Sequence, residues 1–149
     1  MVRALREMTT PPTFVPTDFE ATSEPRQLAL VRDIRFVSVC EHHVLPFAGI
    51  AHIGYAPRKR VLGLNKVARV VHHCARRLQV QERLTRQIAD WLVEHLEPAG
   101  VGVLLSDEHT CMTLRGVGAI GSRTTTSALR GVLLDEPTAR AEFMCLAAA

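Results

Sequence analysis

From residue 28 to residue 39 the chain alternates in a strand-like way, with Ile34, Phe36 and Ser38 on one face. A second strand is predicted over 48–55, stopped by Ala56-Pro57-Arg58-Lys59 and followed by a short apolar piece at 61–64. The period then changes. Asn65 reads as a helix N-cap, and Val67, Val70, Val71, Cys74 and Leu78 follow at helical spacing. A second helix is predicted over 81–96, with Leu84, Ile88, Trp91, Leu92 and Leu96 as its buried face, ended by Glu97-Pro98-Ala99-Gly100. Further strands are predicted over 101–105, 111–117 and 124–134, with Gly116, Gly118 and Gly121 as breaks, and a last short helix over 138–146.

This order predicts an α+β fold with a mostly antiparallel sheet. Unpaired sheet edges in such a unit invite side-by-side assembly. Residues 1–26 carry Pro11, Pro12, Pro16 and Pro25 and read as an N-terminal arm, partly disordered, with a short helix over 2–8. The folded domain is expected over 27–149.

The chain of 149 residues is long enough for one ordinary core, and its few aromatics make that core aliphatic. No apolar run approaches a membrane span and the first residues are too polar for a secretory signal, so a cytoplasmic location is expected. The net charge of +3 suits an anionic ligand but is too small and too scattered for nucleic acid. Four cysteines in such a protein argue for a metal site and core thiols rather than a disulfide framework.

The chemistry concentrates in two stretches. Cys40-Glu41-His42-His43 sets a thiol and an imidazole three residues apart, and Glu108-His109-Thr110-Cys111 answers it downstream. Cys40, His43 and Cys111 make three zinc-type ligands, and no second Cys-x-x-Cys or Cys-x-x-His pair closes the site, which is the open, catalytic arrangement. His42 and His109 are left beside the metal to move protons, with His42 also able to serve as a fourth ligand. If 109–111 is extended, His109 and Cys111 point to one side. Lys66 and Arg69 lie on one face of a helix start, where a bound anion would offset their conflict with the helix dipole, and Arg115 can join them. Gln81 and Glu82 open the second helix, where the carboxylate suits either the dipole or two N–H donors of a guanine edge. Arg76, Arg77, Arg83 and Arg86 read as surface charges.

Taken together these motifs resemble GTP cyclohydrolase I of the zinc-dependent type. The resemblance rests on Cys40-Glu41-His42-His43, Gly63-Leu64-Asn65-Lys66-Val67-Ala68-Arg69, the run 77–85 and His109-Thr110-Cys111-Met112-Thr113-Leu114-Arg115-Gly116-Val117, and extends roughly over 31–146. It implies the tunnelling fold, a ββααββ unit closing into a barrel by oligomerisation, with two pentamers stacked into a homodecamer and active sites between subunits. It implies conversion of GTP and water to formate and 7,8-dihydroneopterin triphosphate, with Zn2+ as cofactor. By matching position Cys40, His43 and Cys111 hold the metal and His42 and His109 are catalytic. Gln81 and Glu82 bind guanine, and Lys66, Arg69 and Arg115 bind the triphosphate. Asn65 stands near the ribose where the family usually has Ser.

Overall fold

A computed structural model of the chain describes residues 2–20 and 27–149. Its elements are α1 Val2–Thr9, β1 Asp18–Glu20, β2 Ala29–Cys40, β3 Pro46–Ala56, β4 Arg60–Leu62, α2 Leu64–Ala75, β5 Leu78–Gln79, α3 Gln81–Leu96, β6 Gly100–His109, α4 Thr110–Thr113, β7 Thr124–Gly131, α5 Val132–Asp135 and α6 Pro137–Ala148. The main sheet has the order β5-β2-β3-β6-β7. β2 pairs with β3, β3 with β6 and β6 with β7 in antiparallel fashion, while β5 runs parallel to the end of β2.

The alternation read from the sequence decides which face is dry. Ile34 and Phe36 of β2, Phe47, Ala51, Ile53 and Tyr55 of β3, and Val101, Val103 and Leu105 of β6 are buried against Val67, Val70 and Val71 of α2 and Leu84, Ile88 and Leu92 of α3. A smaller cluster on Leu133, Phe143 and Ala147 covers one end of the sheet. There Gly54 and Gly102 leave room for the Phe143 ring, since a Cβ at either would come within 2.8–2.9 Å of it. Asp33 takes a left-handed φ of 58° at the point where the β2–β3 register shifts, a bulge that keeps Ile34 on the buried face.

The two long strands, α3 and the final helix lie close to where the pattern predicts them. Four expectations are corrected. The strand predicted over 124–134 ends at Gly131, and Val132–Asp135 forms the short helix α5 instead. Asn65 is not the N-cap of α2: Gly63 is, the Lys66 N–H donates to the Gly63 carbonyl, and the exposed Asn65 falls inside the first turn. Leu78 is not part of the α2 stripe, because the helix ends at Ala75 and the chain turns to add β5 to the sheet. The stretch 111–117 is not a strand. Thr110–Thr113 forms one helical turn, and left-handed glycines at 116, 118 and 121 carry the loop on to β7.

Within the expected N-terminal arm, α1 covers the helix read at 2–8, and β1 pairs with β4. Pro25, counted toward the arm's disorder, lies with the rest of 21–26 outside the described residues. No helix among the described residues is long and apolar enough to cross a membrane.

Candidate metal centre and active site

Register brings the two chemical stretches together. β3 pairs Ser38 with Phe47 on one side and Phe47 with His109 on the other, so the end of β2 and the end of β6 flank the same residue. The chain leaves β2 at Cys40 in a tight turn: the Val44 N–H donates to the Cys40 carbonyl at 2.8 Å, the Cys40 N–H to the Leu45 carbonyl at 2.8 Å. On the other side, the Thr110 hydroxyl donates to the Pro46 carbonyl at 2.6 Å and ties α4 to the start of β3. Cys111 therefore reaches the turn from a helical position, not from an extended one.

The ligand atoms of Cys40, His43 and Cys111 all lie within 4.8 Å of one another. Cys40 Sγ and His43 Nδ1 are 3.7 Å apart. A tetrahedral ion with ordinary metal–sulfur and metal–imidazole bonds sets that edge at about 3.6 Å. Two thiols and an imidazole on one small cluster fit a borderline-soft divalent ion. Burial and the neighbouring Cys40 thiol push the Cys111 thiol up, so an ion displaces a proton to bind there.

The turn is clamped from outside the cluster. Glu41 donates its N–H to the Gln79 carbonyl at 2.9 Å, and its carboxylate pairs with Arg83. That guanidinium holds the Glu41 carboxyl below the usual carboxylate range. Arg83 also donates to the Gln79 side chain at 2.9 Å, so it is a half-buried structural cation, not the surface charge expected. His42 remains exposed, 3.9 Å from the Glu41 carboxylate.

His109 is half-buried, with its ring stacked on Phe47 at 4.5 Å and 9°. Its Nε2 lies 2.9 Å from Gln81 Oε1. Burial pushes the imidazole below its ordinary value, and the Glu82 carboxylate partly opposes that. Glu82 is exposed at the start of α3 and faces this end of the sheet. Arg115 sits in the loop after α4, close enough to Cys111 to favour its thiolate.

Asn65, Lys66 and Arg69 are not brought to this cluster within the chain. α2 ends beside Cys40, where the Ser38 hydroxyl donates to the Ala75 carbonyl at 2.6 Å. Its start lies toward the opposite end of the sheet, where the Leu62 N–H donates to the Tyr55 hydroxyl and Tyr55 pairs with Val101. At a rise of about 1.5 Å per residue, Lys66 is roughly 13 Å up the helix from Ala75.

One buried acid has no sequence signal beyond its type. Asp107 is fully buried two residues before His109 on β6, and neither of its side-chain oxygens finds a hydrogen-bond partner among the described residues. Desolvation raises its carboxyl to about 7; Arg123 opposes the shift and Glu82 adds to it.

The family model described as GTP cyclohydrolase I matches residues 1–148. The GTP cyclohydrolase 1 of Caldanaerobacter subterraneus subsp. tengcongensis is 54% identical over 124 residues, 83% of this chain and 66% of that protein. The GTP cyclohydrolase 1 of Rattus norvegicus is 52% identical over 120 residues, 80% of this chain and 50% of that protein. The chain thus spans about half to two thirds of the length of the curated relatives it matches. Among solved structures, the apo archaeosine synthase QueF-Like shares the fold at a TM-score of 0.59 and 18% identity, over 72% of this chain and 97% of that one.

The Asp107 environment makes a prediction for stability. With a native value near 7 against about 3.8 when unfolded, Asp107 holds its proton in the native state across that window while the unfolded chain loses it. Its contribution therefore favours folding less and less as pH rises from about 4 to about 7, by on the order of 3–4 kcal/mol at most. Asp107→Asn is expected to lack that slope and to be more stable than the parent at pH 7.5. Denaturant titrations of both proteins at pH 5 and 7.5 check it; equal slopes would contradict the buried, unpaired carboxyl.

Proposed function

The chain belongs to the GTP cyclohydrolase I family, and from that footing we propose that it is a zinc-dependent GTP cyclohydrolase I, converting GTP to 7,8-dihydroneopterin triphosphate and formate. The observation that carries this reading is the convergence of Cys40, His43 and Cys111 at one end of the sheet. These three residues hold the ion. When bound, zinc supplies a water activated near neutral pH.

The chain's own residues then divide the remaining work. Glu82 is free to accept two N–H donors from the guanine edge and so registers the base. His42, exposed beside the cluster, exchanges the proton at purine N7 as water adds at C8 and the imidazole ring opens to a formamide. A second hydrolysis releases formate. His109 serves the ribose, which opens, rearranges and recloses onto the pyrimidine amine. Lys66, Arg69 and Arg115 hold the triphosphate.

Lys66 and Arg69 have to come from a second copy in this reading, because α2 carries them away from Cys40. The sheet supports such an assembly. Among the described residues β2 is paired with β5 only at Val39 and Cys40, and β7 is the other edge. Joining β7 of one copy to β2 of the next repeats without symmetry within the pair and closes as a ring. A pentameric barrel, stacked as a decamer of two pentamers, is the assembly proposed. A cytoplasmic setting, where thiols stay reduced, goes with it.

A second reading has its own observation. Because Gly63 caps α2, the side chain of Asn65 is not needed there and stands exposed where the family resemblance places the ribose. An amide lacks a hydroxyl's proton chemistry, so the alternative is an enzyme that stops after ring opening.

Incubating zinc-loaded protein with GTP, while following formate and product mass together, separates these. Formate with dihydroneopterin triphosphate is expected; an accumulating formamidopyrimidine would establish the alternative, and no reaction would contradict both. The shared site makes a second prediction. Lys66→Ala and Cys111→Ser proteins should each be inactive by about 100-fold or more. Dissociated and reassembled together, they should recover activity, because some interfaces then carry both native halves. Failure of the mixed assembly to recover would contradict a site split between copies.

A further inference from the structure

The side chain of Gln81 is 2% exposed and spans two partners. Its Nε2 donates to the Thr124 carbonyl at 2.9 Å. Its Oε1 lies 2.9 Å from His109 Nε2. A backbone carbonyl has no proton to give, so the amide nitrogen has to face Thr124; turned over, the amide would set two oxygens against each other. The orientation of Gln81 is thereby fixed by Thr124 alone.

A consequence reaches the imidazole. Oε1 is only an acceptor, so His109 Nε2 carries a hydrogen whether the ring is neutral or charged. Nδ1 is the ring nitrogen that Gln81 leaves unengaged. The plane of the ring is set separately, by its stack on fully buried Phe47. The ring is therefore restrained by two groups of different chemistry, one fixing its tilt and one its protonated edge.

We propose that Gln81 is a positioning residue for His109: Phe47 sets the tilt of the imidazole, and Gln81 holds its Nε2–H edge against the amide oxygen. This rests on the reading of His109 as the group that serves the ribose. It takes the Gln81 side chain away from the guanine edge and leaves that edge to Glu82. Each end of the Gln81 amide already has a partner inside the chain, and pulling either away would break that bond.

Nitrogen-15 NMR of histidine-labelled, zinc-loaded protein tests this, with the His109 resonances identified by their loss in His109→Ala. The native protein is expected to show a hydrogen on His109 Nε2 and no neutral Nδ1–H tautomer. In Gln81→Met, which keeps the bulk and loses the acceptor, the two tautomers should mix. With GTP, Gln81→Met should lower kcat by about 10–100-fold at nearly unchanged KM and unchanged zinc content. An Nδ1–H form in the native protein, or a tautomer unmoved by Gln81→Met, would overturn the proposal. So would a raised KM at unchanged kcat, the signature of a guanine contact. If native protein released no formate from GTP, the proposed reaction would fall, while the NMR result would still decide the role of Gln81 on its own.

Discussion

Phe47 stands opposite Ser38 on one side and His109 on the other, and this double pairing holds the site in being. A slip of one residue in either ladder would turn every side chain of that strand to the opposite face. Ile34 and Phe36, or Val101, Val103 and Leu105, would then leave the core they share with α2 and α3. The burial that fixes the fold therefore also fixes where β2 ends in Cys40 and where β6 hands the chain to α4. The cluster is a by-product of register, finished by local bonds at the Cys40–Leu45 turn and by Thr110 on Pro46.

The polar groups around that end of the sheet fall into two kinds. Glu41, Arg83 and Gln79 satisfy one another and clamp the turn. Gln81 likewise satisfies both ends of its amide. Asp107 does not, and its burial without a partner costs stability near neutral pH. Glu82 faces both Asp107 and His109, so the carboxylate proposed to bind substrate also presses on the protonation of its neighbours. A site with one unpaired acid and one free acid at its margin is the pattern expected where ligand binding, not folding, completes the electrostatics.

Much of this was legible in the sequence. Helix α3 declared itself because Leu84, Ile88, Leu92 and Leu96 recur at helical spacing and Glu97-Pro98 follows. The grouping of Cys40, His43 and Cys111 was legible because few roles suit Cys and His at those spacings. The misreadings have physical causes. Leu78 fits the α2 stripe by position alone, and nothing local announces a two-residue strand added by pairing with distant β2. Residues 111–117 alternate like a strand, but only tertiary context shows that Cys111 must curl toward Cys40 in a helical turn. Gln81 looked like a polar opening to a helix. Its partners, Thr124 and His109, lie far along the chain, and no pattern near Gln81 names them.

The claim on which all the rest depends is an ion held by Cys40, His43 and Cys111 with one position open. X-ray absorption at the zinc edge of the loaded, substrate-free protein addresses it directly. The account predicts two sulfurs at about 2.3 Å, one imidazole nitrogen at about 2.0–2.1 Å and one further light atom without imidazole scattering. A second imidazole in the shell, from His42 or His109, would close the site and remove a proposed catalytic group. A shell with fewer than two sulfurs would contradict the ligand set itself.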